Sequence, residues 1–228
     1  MFREFTLFAL LLLVHECGHF LTGYLLGWKV DKICFYPYGG CSKFITKVNE
    51  PLYKEFLVLI MGPIIQTVFY FILSLLLVRS QDITCLTNYH YGILLFNLLP
   101  IYPLDGGKLI SILLALIKPY QKSFELTLKI SFFFLIILLL FSFINLFQDN
   151  LLFLVMLLFS KLLEEAKKKH LYYQKFLLER YLEPVYFKKR AIIISEKDMY
   201  RDRKHLIKKG QHYMTEQEFL RKKFLNKW

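Results

Sequence analysis

Apolar residues in this chain come in long unbroken runs, with neither the 3.6-residue alternation of a surface helix nor the two-residue alternation of a half-exposed strand. Runs of this kind occur at Phe5–Trp28, Phe56–Val78, Tyr89–Ile117, Leu126–Phe147 and Leu151–Leu163. A helix needs about 20 such residues to cross a hydrocarbon core of about 30 Å. The pattern therefore predicts an all-α polytopic membrane protein with about five transmembrane helices, the last of them short. The first run carries only Arg3 ahead of it and continues past Gly18 with no small-residue cleavage site, so it reads as a retained helix rather than a signal peptide.

Polar stretches separate the runs. Between the first two, Ile33–Val48 places β-forming residues on either side of Pro37-Tyr-Gly-Gly40, which predicts a small membrane-associated β-hairpin. Its edge is either an ordinary surface or a strand to which an extended peptide adds, with Gly39 and Gly40 permitting close backbone approach. Beyond Leu163 the chain turns polar. Glu164–Tyr181 reads as a helix leaving the membrane, 191–194 as a short strand, and Thr215–Phe224 as a final helix opened by a Thr215–Glu218 capping box. The division expected is 1–166 for the membrane domain and 167–228 for a short basic tail.

Composition and charge sharpen this picture. The 228 residues are 56% hydrophobic, too apolar for an ordinary soluble domain, and carry a formal net charge of +12. The basic residues gather in alternate connections: Lys29, Lys32, Lys43, Lys47 and Lys54 in the first, Lys118, Lys122 and Lys129 in the third, then the tail. Lysine-rich connections face the cytoplasm, so the first and third loops and the C-terminus are expected there, against an anionic lipid surface and without nucleic acid as a partner. Cys17, Cys34, Cys41 and Cys85 have the spacing of neither a disulfide scaffold nor a zinc ribbon and read as isolated thiols.

Two stretches do not belong in lipid on hydropathy grounds. In the first run, His15-Glu16-Cys17-Gly18-His19 sets two imidazoles and a carboxylate where an ionised group costs roughly 2.5–3.5 kcal/mol. Residues four apart lie above one another on a helix, so His15 and His19 can grip one metal ion, with Glu16 flanking that face as a general base. Cys17 turns away from it. The second stretch is Asn97–Lys108, where Pro100, Pro103 and Asp105-Gly-Gly107 must unwind the backbone inside an apolar run. Unwound backbone at membrane depth is tolerated where it lines a protein-enclosed or wet cavity. Asp105 and the two histidines fall at similar depth, which makes Asp105 the third ligand of a catalytic zinc; the alternative is a carboxylate that merely caps its turn. Met61-Gly62-Pro63 in the second run reads as a packing kink.

These residues together carry a resemblance. His15-Glu16-Cys17-Gly18-His19, Tyr36-Pro-Tyr-Gly39-Gly40, Met61-Gly62-Pro63 and Asn97-x-x-Pro100-x-x-Pro103-x-Asp105-Gly-Gly107, in that order, resemble the site-2 protease family (peptidase family M50) of intramembrane zinc metalloproteases, in particular its sporulation branch. Phe176–Tyr181 and 203–207 in the tail are similar to the same branch. The resemblance implies a zinc endopeptidase that cleaves a membrane-associated protein near the cytoplasmic face, with a pro-sigma factor as substrate and inhibitory membrane proteins among its partners. It implies Glu16 as the base that activates water, His15, His19 and Asp105 as zinc ligands, and Asn97, Gly39, Gly40, Pro100 and Pro103 as substrate-binding positions. The implied location is a bacterial cell membrane, multi-pass, around the forespore if the protein serves sporulation. The chain begins about one helix later than that branch, and its tail is similar only in fragments to the branch's nucleotide-sensing region of the CBS type. Readings of another class are an intramembrane metal-ion transporter, which would want the internal repeat that the chain lacks, and a catalytically silent scaffold.

Overall fold

The computed structural model describes residues 2–36, 39–45, 47–77, 79–144, 149–183, 187 and 189–225. They form two compact units, one of residues 1–46 and 53–99, the other of 47–52 and 100–228.

The first unit opens with α1 (Phe2–Leu25), followed by β1 (Lys29–Tyr36) and β2 (Gly39–Ile45). Helix α1 stops where Gly27 takes φ 80°, a left-handed conformation that glycine adopts without a side-chain penalty. The Gly27 and Trp28 amides then donate to the Tyr24 and Gly23 carbonyls, each at 3.0 Å, closing a Schellman cap that turns the chain into the hairpin. The two strands pair antiparallel, with Phe35 opposite Gly40 and Tyr36 opposite Gly39; Pro37 and Tyr38, the predicted turn, lie outside the described residues. Helices α2 (Leu52–Leu76) and α3 (Ser80–Asn97) complete the unit. Leu11 of α1 packs with Leu86 and Ile93 of α3, and Phe69, Tyr70 and Leu73 of α2 close over them.

The second unit contains α4 (Asp105–Ile117), α5 (Tyr120–Ile144), α6 (Asp149–Leu182), the tail strands β3 (Lys189–Ile193), β4 (Arg203–Lys209) and β5 (His212–Thr215), and α7 (Glu216–Leu225). Helix α4 ends because Lys118 precedes Pro119, whose ring disfavours helical backbone at the residue before it; Lys118 is extended, at φ −112° and ψ 152°. The sheet order is β3-β4-β5, parallel then antiparallel, with Gly210 at φ 65° in the last hairpin.

Three helices among the described residues are long and apolar enough to span a membrane: Arg3–Leu25, Leu52–Leu76 and Tyr120–Ser142. The other two apolar runs take different forms. Tyr89–Ile117 is no single span but is split into α3 and α4, and α3 begins nine residues earlier than hydropathy suggests because Gln81, Asp82 and Thr84 dilute the apolar signal without opposing helix. The last run continues without a break into the polar half of α6, a 34-residue helix. Lys168 pairs with Glu164 at 2.6 Å along that half, and Lys169 reaches Glu125 of α5 at the same distance.

The tail has more structure than its sequence promises. Tyr173, Phe176 and Leu177 of α6 join Ile193, Met199, Ile207 and Leu220 in one buried cluster, so the polar half of α6 serves as its central element. The Tyr120 amide donates to the Met199 carbonyl at 2.8 Å, tying the start of α5 to this core. At its centre Arg180 is buried, donating to Glu216 Oε1 at 2.9 Å, to the Tyr200 carbonyl at 2.7 Å and to Asn49 Oδ1 at 2.8 Å. The Thr215–Glu218 capping box forms reciprocally, the Glu218 amide donating to Thr215 Oγ1 at 3.3 Å and the Thr215 amide to Glu218 Oε2 at 3.1 Å.

Candidate metal centre

In the first unit, one turn of α1 brings His15 and His19 together. Both are buried, their rings meet edge to face at 4.8 Å, and the two Nε2 atoms lie 3.1 Å apart. Each Nδ1 points away from this contact. His19 Nδ1 is 2.8 Å from the Val58 carbonyl oxygen, which can only accept, so that nitrogen carries the proton. His15 Nδ1 lies 2.8 Å from Gln66 Oε1. The amide end of Gln66 sits 3.2 Å from the His90 carbonyl, again an acceptor only, which orients the amide and leaves Oε1 to accept from His15.

Both imidazoles therefore turn Nε2 lone pairs toward the same point. Such a pair repels unless a cation lies between them. Two ligands of a tetrahedral zinc, with Zn–N bonds of about 2.0–2.1 Å, stand about 3.3 Å apart, close to the spacing observed. The chemistry of this donor pair fits a divalent metal.

The neighbourhood is built for that ring position. A Cβ placed on Gly62 would stand 2.3 Å from His19 Nε2, and one on Gly18 2.7 Å from the Met61 carbonyl oxygen. Two glycines thus let α1 and α2 approach until the His19 ring lies on backbone. Pro63 follows within α2, and one turn before Gly62 the Val58 carbonyl accepts the hydrogen bond from His19 Nδ1. Met61-Gly62-Pro63 is accordingly a seat for His19 as well as a packing feature.

The remaining predicted positions are found as follows. Glu16 follows His15 on α1 and is partly exposed; Cys17 is exposed. Asn97, half-buried, is the last residue of α3. Gly39 and Gly40 open β2. In the second unit, Pro100 and Pro103 bracket a non-helical turn with buried Ile101 at its centre and a cis Tyr102–Pro103 peptide. The Leu104 amide donates to the Ile101 carbonyl at 2.8 Å, and the Tyr102 amide to Ser131 Oγ of α5 at 2.9 Å. Asp105, buried, starts α4 directly after this turn, and Lys108 lies 3.6 Å from its carboxylate. Gly107 is required here, since a Cβ would stand 2.3 Å from the Tyr102 amide nitrogen.

Sequence reasoning passed over Gln66 and His90. Gln66 is a wholly buried amide in the most apolar helix of the chain, and that incongruity was its signal.

An H-E-x-x-H turn with paired histidines, set in a helix of membrane length, is the arrangement of a membrane metalloprotease. A model of peptidase family M50 matches residues 4–94. Stage IV sporulation protein FB of Bacillus subtilis is 34% identical over 177 residues, covering 75% of this chain and 62% of that protein. A zinc metalloprotease of Methanocaldococcus jannaschii is 29% identical over 151 residues, 62% of this chain and 43% of that protein. The chain thus spans less than two thirds of the length of either relative. The solved site-2 protease from Methanocaldococcus jannaschii shares its fold, with a TM-score of 0.57 at 24% identity over 72% of this chain and 77% of the other. Residues 4–94 of this chain thus match peptidase family M50, and the chain is similar to a stage IV sporulation protein and a zinc metalloprotease and has the fold of a solved site-2 protease.

Proposed function

We propose that the chain is an intramembrane zinc endopeptidase that cleaves a membrane-associated protein near the cytoplasmic face, and that its substrate is a pro-sigma factor processed during sporulation. The observation that carries the catalytic half is the pair of His15 and His19 Nε2 atoms turned on one point at 3.1 Å, one residue from Glu16. Similarity to a stage IV sporulation protein supports the substrate class.

In this reading His15 and His19 hold zinc together with Asp105, whose burial at the start of α4 suits a ligand better than a solvated turn. Bound zinc supplies Lewis-acid polarisation of the scissile carbonyl and acidifies the attacking water. Glu16 takes a proton from that water and returns it to the leaving amine. The β2 edge at Gly39 and Gly40 pairs with the extended substrate, while Asn97 and the turn between Pro100 and Pro103 hold it for attack. The cytoplasmic assignment of the tail draws support from Lys47 and Asn49 of the first connection, which pair with Glu183, and with Arg180 and Glu179, at the end of α6. In this reading the two lysine-rich segments share one side of the membrane, and inhibitory membrane proteins are expected to act there.

The test is co-expression with membrane-tethered pro-sigma candidates, read as a size shift. Wild-type chain should shorten one of them and Glu16→Gln should not; a Glu16→Gln protein that cleaves as fast as wild type would sink the mechanism.

A further inference from the structure

Behind His15 lies a buried polar chain that the reaction does not consume. Gln66 is wholly enclosed, and its Oε1 accepts from His15 Nδ1 at 2.8 Å. Its amide nitrogen has two hydrogens and two partners, the His90 carbonyl and His90 Nδ1, each at 3.2 Å. The carbonyl cannot donate, so the amide cannot be reversed without setting oxygen against oxygen in a dry interior. His90 Nδ1 is then an acceptor, and its ring is the Nε2–H tautomer. That ring is clamped in turn, stacked 4.3 Å from Tyr70 at an interplanar angle of 7°, while the Tyr70 hydroxyl meets Thr87 Oγ1 at 3.1 Å.

We propose that Gln66 is a positioning residue that fixes the tautomer of His15, anchored in one orientation by His90, so that Nε2 is already presented for metal before any metal arrives. A neutral imidazole can place its proton on either nitrogen, and only one choice leaves Nε2 able to bind. Partners of this kind orient ligand histidines, and their loss typically costs 10–100-fold in metal affinity. An amide is an unusual choice over a carboxylate or a backbone carbonyl. It reads direction, because one end must accept and the other must donate, and it adds no charge to an apolar helix.

The inference rests on the zinc reading, and the experiment separates the two. Zinc affinity of the purified full chain is measured by chelator competition for wild type, Gln66→Leu, Gln66→Glu and His90→Phe, with thermal melting of each variant as a check on folding. In parallel, 15N NMR of the histidine rings reports tautomers in metal-free wild type. Gln66→Leu should lose roughly 10–100-fold in affinity. Gln66→Glu, which enters this dry interior as the neutral acid, accepting from His15 and donating to the His90 carbonyl, should recover most of that loss. His90→Phe keeps the stack on Tyr70 and the backbone carbonyl, so it should lose less than Gln66→Leu. The metal-free spectrum should show His15 as the Nδ1–H tautomer and His90 as Nε2–H. A folded Gln66→Leu protein that binds zinc like wild type overturns the proposal. Should Gln66→Leu fail to fold, an Nε2–H tautomer at His15 in wild type overturns it equally, as does Gln66→Glu binding tenfold more weakly than wild type. Wild type that binds no zinc would sink the function reading instead, while the tautomers would still decide whether the relay exists.

Discussion

Gly62 lies directly against the His19 imidazole, so close that any side chain there would stand 2.3 Å from both Cε1 and Nε2. That contact is below any real Cβ separation, and the ring is tied at its Nδ1 edge to Val58. Gly62→Ala should therefore displace the ring, at about 1–3 kcal/mol for overpacking. Zinc content of the purified variant should drop while its helical circular dichroism persists. Full zinc occupancy would show that the ring can move without losing its aim.

Asp105 is proposed as the third ligand. Its replacement by Ala should lower zinc stoichiometry, whereas Glu16→Gln, which removes a base and no ligand, should retain zinc and lose roughly 10²–10⁴-fold in cleavage rate. Equal metal content in Asp105→Ala and wild type would remove Asp105 from the donor set.

Glu216 makes the tail sensitive to acid. Burial by itself would raise its carboxyl, but the hydrogen bond from His205 and the nearby Arg180 charge outweigh burial and hold it below the ordinary carboxylate value. A group depressed in the folded state contributes stability above its unfolded value and loses it as pH falls through the folded one. Wild type should therefore melt at steadily lower temperature below about pH 4, and Glu216→Gln should show a flatter profile. Glu216→Ala, which leaves Arg180 buried without this partner, should cost about 3–5 kcal/mol at neutral pH.

Thr215 caps α7 through the Glu218 amide. Thr215→Ala should destabilise the tail by about 1 kcal/mol, visible as faster amide exchange in the first turn of α7. Unchanged exchange there would mean that packing of Leu220 alone holds the helix.

Legibility differed by element. The first two membrane-length helices could be placed to within a few residues, and His15, Glu16 and His19 singled out, because lipid makes polar residues conspicuous. The break between α3 and α4 could be read from Pro100, Pro103 and Asp105, although summing hydropathy across it still suggested a single span. Strands β4 and β5 were missed. Strand β4 is rich in lysine and buries only His205 and Ile207, and the four residues of β5 include none that is buried. Local composition there argues for a solvated tail, and the apolar partners that make it a sheet come from α6, some 30 residues earlier.

By itself the sequence determined that the chain crosses a membrane and that His15 and His19 share a helix face, because period and hydropathy are local properties. Tertiary structure alone decided which nitrogen each histidine turns inward. That choice depends on Val58, Gln66 and His90, acceptors brought by two other helices, and on Gly62, whose missing side chain lets α2 come close enough to supply them.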